Sequence, residues 1–170
     1  NATLNLAQNL DPIAVEYAWD MNPYFLGCSN GTVDLRTGFL RDGNRADRIT
    51  LSTNIEYHPD AGCPRWEQFL LEIFDNDADV VRFIQRAIGY SLTGNTSEQC
   101  LFLCWGGGAN GKSTMLNVMR EILGQYAANT PFSTFELQYR NSNTNDLAAL
   151  ADCRLISAAE TTDARRLNES

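Results

Sequence analysis

The sequence predicts an α/β protein in two parts, a small α+β domain over residues 1–95 and the first half of a parallel sheet over residues 96–170. Three observations support this prediction. A hairpin signal surrounds Asn30 and Gly31, and two amphipathic helical patterns follow between residues 64 and 92. After them, a glycine-rich loop separates an apolar run from a further helical pattern. Strands that alternate with helices in this way are typical of a parallel sheet with helices on its faces.

The first part contains a β-hairpin with a third strand. Residues 24–28 and 32–35 read as strands joined by a Ser-Asn-Gly turn, and a second turn leads into a strand at residues 39–41. A weaker pattern over residues 13–19, preceded by an Asp-Pro cap, predicts a short helix before the hairpin. The sequence therefore predicts a small antiparallel sheet near the start of the chain.

Two helices follow the predicted sheet. Pro64 suits the first turn of the first helix, and Asp77 is a suitable cap for a second helix over residues 78–92. The first helix has an apolar stripe at i, i+3, i+4, i+7 and i+8, formed by Trp66, Phe69, Leu70, Ile73 and Phe74. Because the aromatic residues share this stripe with aliphatic ones, they are predicted to form core rather than a platform for stacking bases.

The bulk composition limits the class of protein. An apolar content of 44% is sufficient for a core. No apolar run is long enough to span a membrane and no signal peptide opens the chain, so a cytoplasmic protein is expected. The five cysteines are odd in number and widely spaced, which favours reduced thiols over disulfides. A zinc site at Cys28, His58 and Cys63 remains an alternative, although the usual ligand spacing is missing.

The charge distribution argues against a wide DNA-binding surface on this chain. The net charge is −8, whereas proteins that grip nucleic acid usually carry a basic stripe. The basic residues cluster only once, and acidic residues are interspersed among them. This predicts a solvated face on which arginines pair with neighbouring aspartates. Its residues are Arg36, Arg41, Arg45 and Arg48 with Asp34, Asp42 and Asp47.

A phosphate-loop pattern lies at the centre of the second part. Residues 106–113 match G-x-x-x-x-G-K-[ST] without a mismatch, after an apolar run at residues 101–104 that reads as a buried strand. Apolar residues at helical spacing follow, and Leu123-Gly124 is a helix stop signal. The simpler alternative is a glycine-rich turn between a strand and a helix. The predicted nucleotide-binding residues are Gly106, Gly107, Gly108, Ala109, Asn110, Gly111, Lys112, Ser113 and Thr114.

The chemistry of nucleotide binding explains these residue types. Glycines allow backbone N–H groups to approach phosphates closely, and the helix that begins near Lys112 directs its free N–H groups at them. Lys112 is predicted to neutralise the β- and γ-phosphates and Ser113 to bind Mg²⁺. Of the 13 lysines and arginines, Lys112 is the only lysine. The sequence therefore predicts ATP and Mg²⁺ as ligands.

An acid at the end of a later strand is the second candidate. A loop with a possible short strand at residues 130–137 is followed by a strand at residues 154–160 that ends in Glu160. Nucleotide hydrolysis needs a carboxylate near the phosphate loop, to hold Mg²⁺ and polarise the attacking water. Parallel strands bring such groups to their carboxyl ends. The alternative is an acid that merely ends a strand.

The sequence resembles the helicase portion of phage and plasmid primase–helicases, superfamily III helicases related to the poxvirus primase–helicase. Five segments support the resemblance: N-G-T-V-D-L-R-T-G (30–38), Y-H-P-D-A-G-C-P-R-W-E-Q-F-L (57–70), I-G-Y-S-L-T-G (88–94), G-G-G-A-N-G-K-S-T (106–114) and N-D-L-A-A-L-A-D-C-R-L-I-S-A-A-E-T (145–161). The resemblance implies an AAA+-like P-loop core, a ring that is usually a hexamer, ATP bound between subunits and DNA moving through the centre. It also implies that Glu160 is the Walker B acid.

The resemblance further implies elements that this sequence does not contain. The chain begins without methionine and ends ten residues after Glu160, so we expect a fragment that lacks the basic DNA-contacting loop, the polar sensor and the arginine finger. Arg165 and Arg166 come too early for that finger. The fragment is expected to bind ATP, to hydrolyse it poorly and to bind DNA weakly. The full-length protein is expected to unwind DNA in phage or plasmid replication.

Two other functions are compatible with the same residues. The first is a P-loop ATPase that packages or loads DNA without unwinding it. The second is a non-catalytic module, formed by residues 1–95, that tethers a primase to the helicase ring.

Overall fold

The computed structural model describes residues 19–53, 55–135 and 148–159. The helix predicted over residues 13–19 therefore lies, except for Trp19, outside the described residues. Within the described ranges the protein is a mixed α/β structure with one antiparallel and one parallel sheet. No helix in these ranges combines the length and the apolar character that crossing a membrane requires.

The antiparallel sheet has three short strands, β1 (Phe25–Cys28), β2 (Gly31–Asp34) and β3 (Phe39–Arg41), in that order. Cys28 pairs with Gly31, so a two-residue loop joins the first two strands. Gly31 has φ +147, and a Cβ atom there would collide with the carbonyl oxygen of Arg41 on β3. The predicted hairpin and third strand are confirmed, and the pairing explains why glycine follows Asn30.

Two helices follow, α1 (Pro64–Ile73) and α2 (Ala78–Leu92), with the predicted bounds. A short 3₁₀ helix, Arg45–Asp47, lies between the sheet and α1. Asp77 caps α2, because its side chain accepts hydrogen bonds from the N–H groups of Asp79 and Val80. The confirmed helices show that the apolar stripes and caps of this region determine its local structure.

The second part contains α3 (Lys112–Leu123) and two parallel strands, β4 (Ala127–Pro131) and β5 (Leu155–Ala159). Gly124 forms the C-cap of α3 with φ +52, as the helix stop signal predicted. A 3₁₀ turn, Gly124–Tyr126, leads into β4, and another, Phe132–Phe135, follows it. The predicted strand at β5 is confirmed. β4 begins three residues before the segment in which a short strand was considered possible.

The prediction of a buried strand at residues 101–104 is wrong. This segment forms no strand, and the exposed fractions of its side chains are 65% for Leu101, 46% for Phe102 and 80% for Leu103. Trp105, the next residue, is 96% exposed. A strand requires backbone partners, and within the described ranges β5 pairs only with β4. An apolar run without such a partner stays at the surface, so the cysteines at positions 100 and 104 are exposed too.

One hydrophobic core joins the two parts of the chain. Its buried members come from the antiparallel sheet, from α3 and from the 3₁₀ turn after it: Leu26, Val33, Met119, Leu123 and Tyr126. Trp66 of α1 and Ile88 and Leu92 of α2 pack against this cluster. The predicted division at residue 95 stays a prediction, but the residues on its two sides share a core.

Tyr126 connects three segments of this core through its hydroxyl group. The ring is 1% exposed, and the hydroxyl donates to the carbonyl oxygen of Leu51 at 2.9 Å and accepts from the N–H of Gly27 at 3.0 Å. A Cβ atom on Gly27 would collide with the same Leu51 oxygen. Burial raises the pKa of the Tyr126 hydroxyl, which keeps it in the protonated form that can donate.

Arg154, next to the start of β5, lies against the Tyr126 ring at 4.5 Å. Its guanidinium donates to the carbonyl oxygens of Leu92, at the end of α2, and of Phe25, on β1, at 2.9 and 2.6 Å. Its backbone N–H donates to the carbonyl oxygen of Tyr126 at 2.7 Å. Burial lowers the pKa of Arg154, but an arginine retains its charge in proteins. Arg154 thus holds β1, α2 and β5 together.

We expect Tyr126→Phe to destabilise the fold by about 1–3 kcal/mol, because it leaves a buried N–H and a buried carbonyl without their shared partner. Tyr90→Phe is the matched control, since the Tyr90 hydroxyl accepts from the exposed N–H of Glu98, to which water has access. Urea unfolding followed by circular dichroism measures both. Equal effects of the two substitutions would contradict the role assigned to the Tyr126 hydroxyl.

Candidate functional site

The candidate site is the glycine-rich loop, residues 106–111, with the first turn of α3. Gly106 has φ +154, Ala109 φ +57 and Gly111 φ +82, so three of its residues adopt conformations that side chains disfavour. Gly107 and Gly108 have open space where a Cβ atom would lie. The loop is therefore sharply folded and largely open to solvent.

Helix α1 supports the loop from the first part of the chain. A Cβ atom on Gly111 would lie 2.5 Å from Cγ2 of Ile73 and 3.3 Å from Cε2 of Phe69. These two residues belong to the predicted apolar stripe of α1, whose Trp66 packs on the main core. The prediction that the aromatic residues of this stripe form core is therefore confirmed for Trp66, and Phe69 contacts the loop.

Lys112 is the first residue of α3, and its side chain folds back over the loop. Its Nζ donates to the carbonyl oxygens of Gly106 at 2.9 Å and Gly107 at 3.0 Å, and to Oδ1 of Asn110 at 2.7 Å. An ammonium group has three N–H donors, so each donor has an acceptor. The positive charge is thus concentrated at the opening of the loop.

The N-terminus of α3 provides further donors. Met115 makes the first backbone hydrogen bond of the helix, to the carbonyl oxygen of Gly111. The N–H groups of Lys112, Ser113 and Thr114 donate to no acceptor in the described part of the chain. Gly111, at the N-cap position, has no side chain to cap them. Free N–H groups and the helix dipole together attract an anion.

These groups fit the triphosphate of a nucleotide with a magnesium ion. Oriented N–H donors and an ammonium suit phosphate oxygens, and the exposed hydroxyl of Ser113 suits a hard cation. Glu160 lies outside the described residues, and β5 ends at Ala159, directly before it. In the described ranges no three His, Cys, Asp or Glu side chains converge on a metal position.

The arginines of the antiparallel sheet and its following loop pair with acids. Arg36 contacts Asp34 at 2.8 Å and Arg41 contacts Asp47 at 2.7 Å, which confirms the predicted self-paired face for these residues. The guanidinium of Arg41 also lies 4.7 Å from the Phe25 ring. Hydrogen bonds from Arg36 and Arg41 lower the pKa values of Asp34 and Asp47. Charges neutralised in this way contribute little to a DNA-binding field.

Two features of the site were not predictable as contacts from the sequence alone. The support of Gly111 by Ile73 and Phe69 joins residues that are far apart in the chain, and no local pattern indicates it. The contact of Asn110 with Lys112 is different, because an amide two residues before the lysine is visible in the motif. The motif predicts that Asn110 binds nucleotide, whereas its contact with the Lys112 ammonium is visible only in the structure.

Comparison with known proteins gives two matches. Residues 1–75 match the family described as "D5 N terminal like". Over 109 residues, or 62% of this chain, the sequence is 34% identical to the protein "Putative helicase L207/L206" of Acanthamoeba polyphaga mimivirus. The chain spans 11% of the length of that relative.

Both matches support a relation to phage and viral primase–helicases. This agrees with the resemblance stated from the sequence motifs, while the match to the family model covers the region before the glycine-rich loop.

Gly111→Ala is expected to destabilise the protein by at least about 1 kcal/mol, because alanine is strained at positive φ and would press on Ile73. Gly107→Ala in the same loop is the control, since nothing lies within 4 Å of the added atom. Thermal unfolding of both variants gives the comparison. Similar melting temperatures would show that α1 does not constrain Gly111.

Arg36→Gln is expected to raise the pKa of Asp34 toward its ordinary value of 3.8, because the main cause of the depression is the hydrogen bond from Arg36. A carboxyl whose pKa is lowered in the folded state stabilises the fold above its unfolded pKa. That contribution disappears as the pH falls below about 3.8 through the folded value. Carboxyl ¹³C NMR titration measures the change, with Asp47, which Arg41 holds, as the internal control. A parallel shift at both carboxyls would refute the separate pairing.

Proposed function

We propose that the glycine-rich loop and the first turn of α3 bind the phosphates of Mg-ATP, and that the chain is the ATP-binding part of a DNA helicase. The main observation is the position of Lys112. Its ammonium lies over the loop, and the first N–H groups of the helix that follows the loop are free. A glycine-rich turn without a ligand would need neither the charge nor the open donors.

Each residue then has a defined task. The N–H groups of residues 106–114 surround the phosphates, and Lys112 neutralises charge on the β- and γ-phosphates. Ser113 binds Mg²⁺, which supplies further neutralisation when bound. Glu160, directly after β5, holds the ion through water and orients the attacking water. β5, whose last residue directly precedes Glu160 in the sequence, is a parallel strand, and ligands of such sheets bind at the carboxyl ends of the strands.

The rest of the sheet supports a P-loop core of the AAA+-like type. The parallel pair β4 and β5 packs against α3, and in the described ranges β5 has one edge unpaired. The exposed run at residues 101–104 has strand composition and leads directly into the loop.

The longer protein provides the helicase function in this proposal. The relative named as a helicase is far longer than this chain, so DNA contacts and subunit contacts belong to the whole protein. We propose a superfamily III ring, a hexamer in the usual case, in which residues 1–95 form the domain before the ATPase core. The acidic, self-paired surface described here leaves the DNA contacts to other segments.

Lys112→Ala is expected to weaken Mg-ATP binding by at least about tenfold, because it removes a charged donor to the phosphates. Arg120→Ala is the matched control, since it removes one positive charge from the last turn of the same helix. Isothermal titration calorimetry measures the affinities, after circular dichroism has shown equal folding. Unchanged Mg-ATP affinity in Lys112→Ala would show that the nucleotide does not bind at this loop.

The same variants in the longer protein test the helicase assignment. ATP hydrolysis that DNA stimulates, together with separation of duplex strands, supports unwinding. Hydrolysis without strand separation would indicate a packaging or loading ATPase instead. Binding of a partner protein that does not depend on nucleotide would indicate a tethering module.

A further inference from the structure

We propose that Asn110 is a positioning residue, a latch that holds the Lys112 ammonium over the loop and gives it up when a phosphate binds. The proposal rests on the proposed nucleotide site and deepens it, because it assigns a role in phosphate admission to a side chain. The latch consists of the contact between Asn110 Oδ1 and Lys112 Nζ.

The contact distances support the latch. Asn110 Oδ1 is the nearest of the three acceptors of the ammonium, at 2.7 Å, and the only one on a side chain. The other two are backbone carbonyls of Gly106 and Gly107, which move only with the loop itself. A phosphate oxygen must replace an acceptor, because the ammonium has no fourth N–H. The side-chain amide, which can rotate, is therefore the acceptor that gives way.

The other end of the Asn110 amide lies close to Gly106, the first residue of the loop. A Cβ atom on Gly106 would collide with Nδ2 of Asn110, so the amide lies across the first residue of the loop. Gly106 has φ +154, a conformation suited to glycine. Asn110 thus contacts the beginning of the loop with one end of its amide and Lys112 with the other.

It matters for the latch that the Asn110 amide carries no charge. An aspartate in the same place would form an ion pair with Lys112 and repel phosphate, so the loop would lose its net positive charge. An amide oxygen accepts the same hydrogen bond without cancelling the charge. Asparagine therefore keeps the ammonium in position while leaving it attractive to an anion.

The single lysine of this chain allows the latch to be observed directly. In protein labelled with ¹⁵N at lysine Nζ, every side-chain ammonium signal comes from Lys112. We expect Asn110→Ala to accelerate exchange of the ammonium protons with water by at least about threefold, because one hydrogen-bond acceptor is lost. We expect Asn110→Asp to slow this exchange, because an ion pair holds the protons more firmly.

Affinity for Mg-ATP gives the second measurement. The Kd is expected to fall by about threefold in Asn110→Ala, because no amide oxygen has to be displaced. It is expected to rise by about tenfold or more in Asn110→Asp, where the latch is tighter and carries a charge. Ala109→Asp adds the same charge one residue away, so it should weaken ATP binding while leaving the ammonium exchange as in the wild type.

The outcomes separate the latch from the nucleotide site. Unchanged ammonium exchange in Asn110→Ala overturns the latch, whatever the affinity for ATP. The latch is also overturned if Asn110→Ala binds ATP more weakly than the wild type while Asn110→Asp binds it almost normally. A residue that only shapes the loop would give that result. If the wild type does not bind Mg-ATP but Asn110→Ala still exchanges its ammonium protons faster, the proposed function is overturned and the contact between Asn110 and Lys112 stands. If Asn110→Ala does not fold, Asn110→Ser replaces it in both measurements.

Discussion

The stacking of Arg154 on Tyr126 fixes the arrangement on which the rest of the structure depends. The two side chains supply partners for the backbone of β1, of α2 and of the segment around Leu51. The two carbonyl acceptors and the aromatic ring offset part of the cost of desolvating the Arg154 guanidinium. Removal of either side chain would leave buried backbone groups unsatisfied, which costs more than the lost contact itself. The Arg154 and Tyr126 side chains thus fix the relative positions of the segments that surround the apolar core.

That arrangement determines the geometry of the candidate site. Leu123 and Tyr126 fix the carboxyl end of α3 in the core, while Gly111, at its other end, lies against Ile73 and Phe69 of α1. The loop is therefore attached to a helix that is held at both ends. Because the site needs oriented N–H groups, this attachment matters more for function than the conformation of the open glycines.

Local patterns predicted most of the secondary structure, and long-range pairing explains what they missed. The antiparallel sheet, α1, α2, the end of α3 and β5 all follow from turns, caps and apolar periodicity within a few residues. The apolar run at residues 101–104 has the composition of a buried strand, yet it has no strand partner within the described ranges. Apolar composition shows that a segment can be buried and leaves open whether its neighbour in the sheet is present. The shared core, the Arg154 contacts and the support of Gly111 likewise join distant residues.

The charge of the chain explains why the candidate site depends on a single cation. A chain with net charge −8 repels a triphosphate at long range, so attraction has to arise locally, within a few ångströms of the loop. The arginines of the antiparallel sheet and the loop after it contribute little, because Asp34 and Asp47 neutralise two of them. Lys112 and the helix N-terminus remain as the local source of positive potential. The neutral amide of Asn110 preserves that potential.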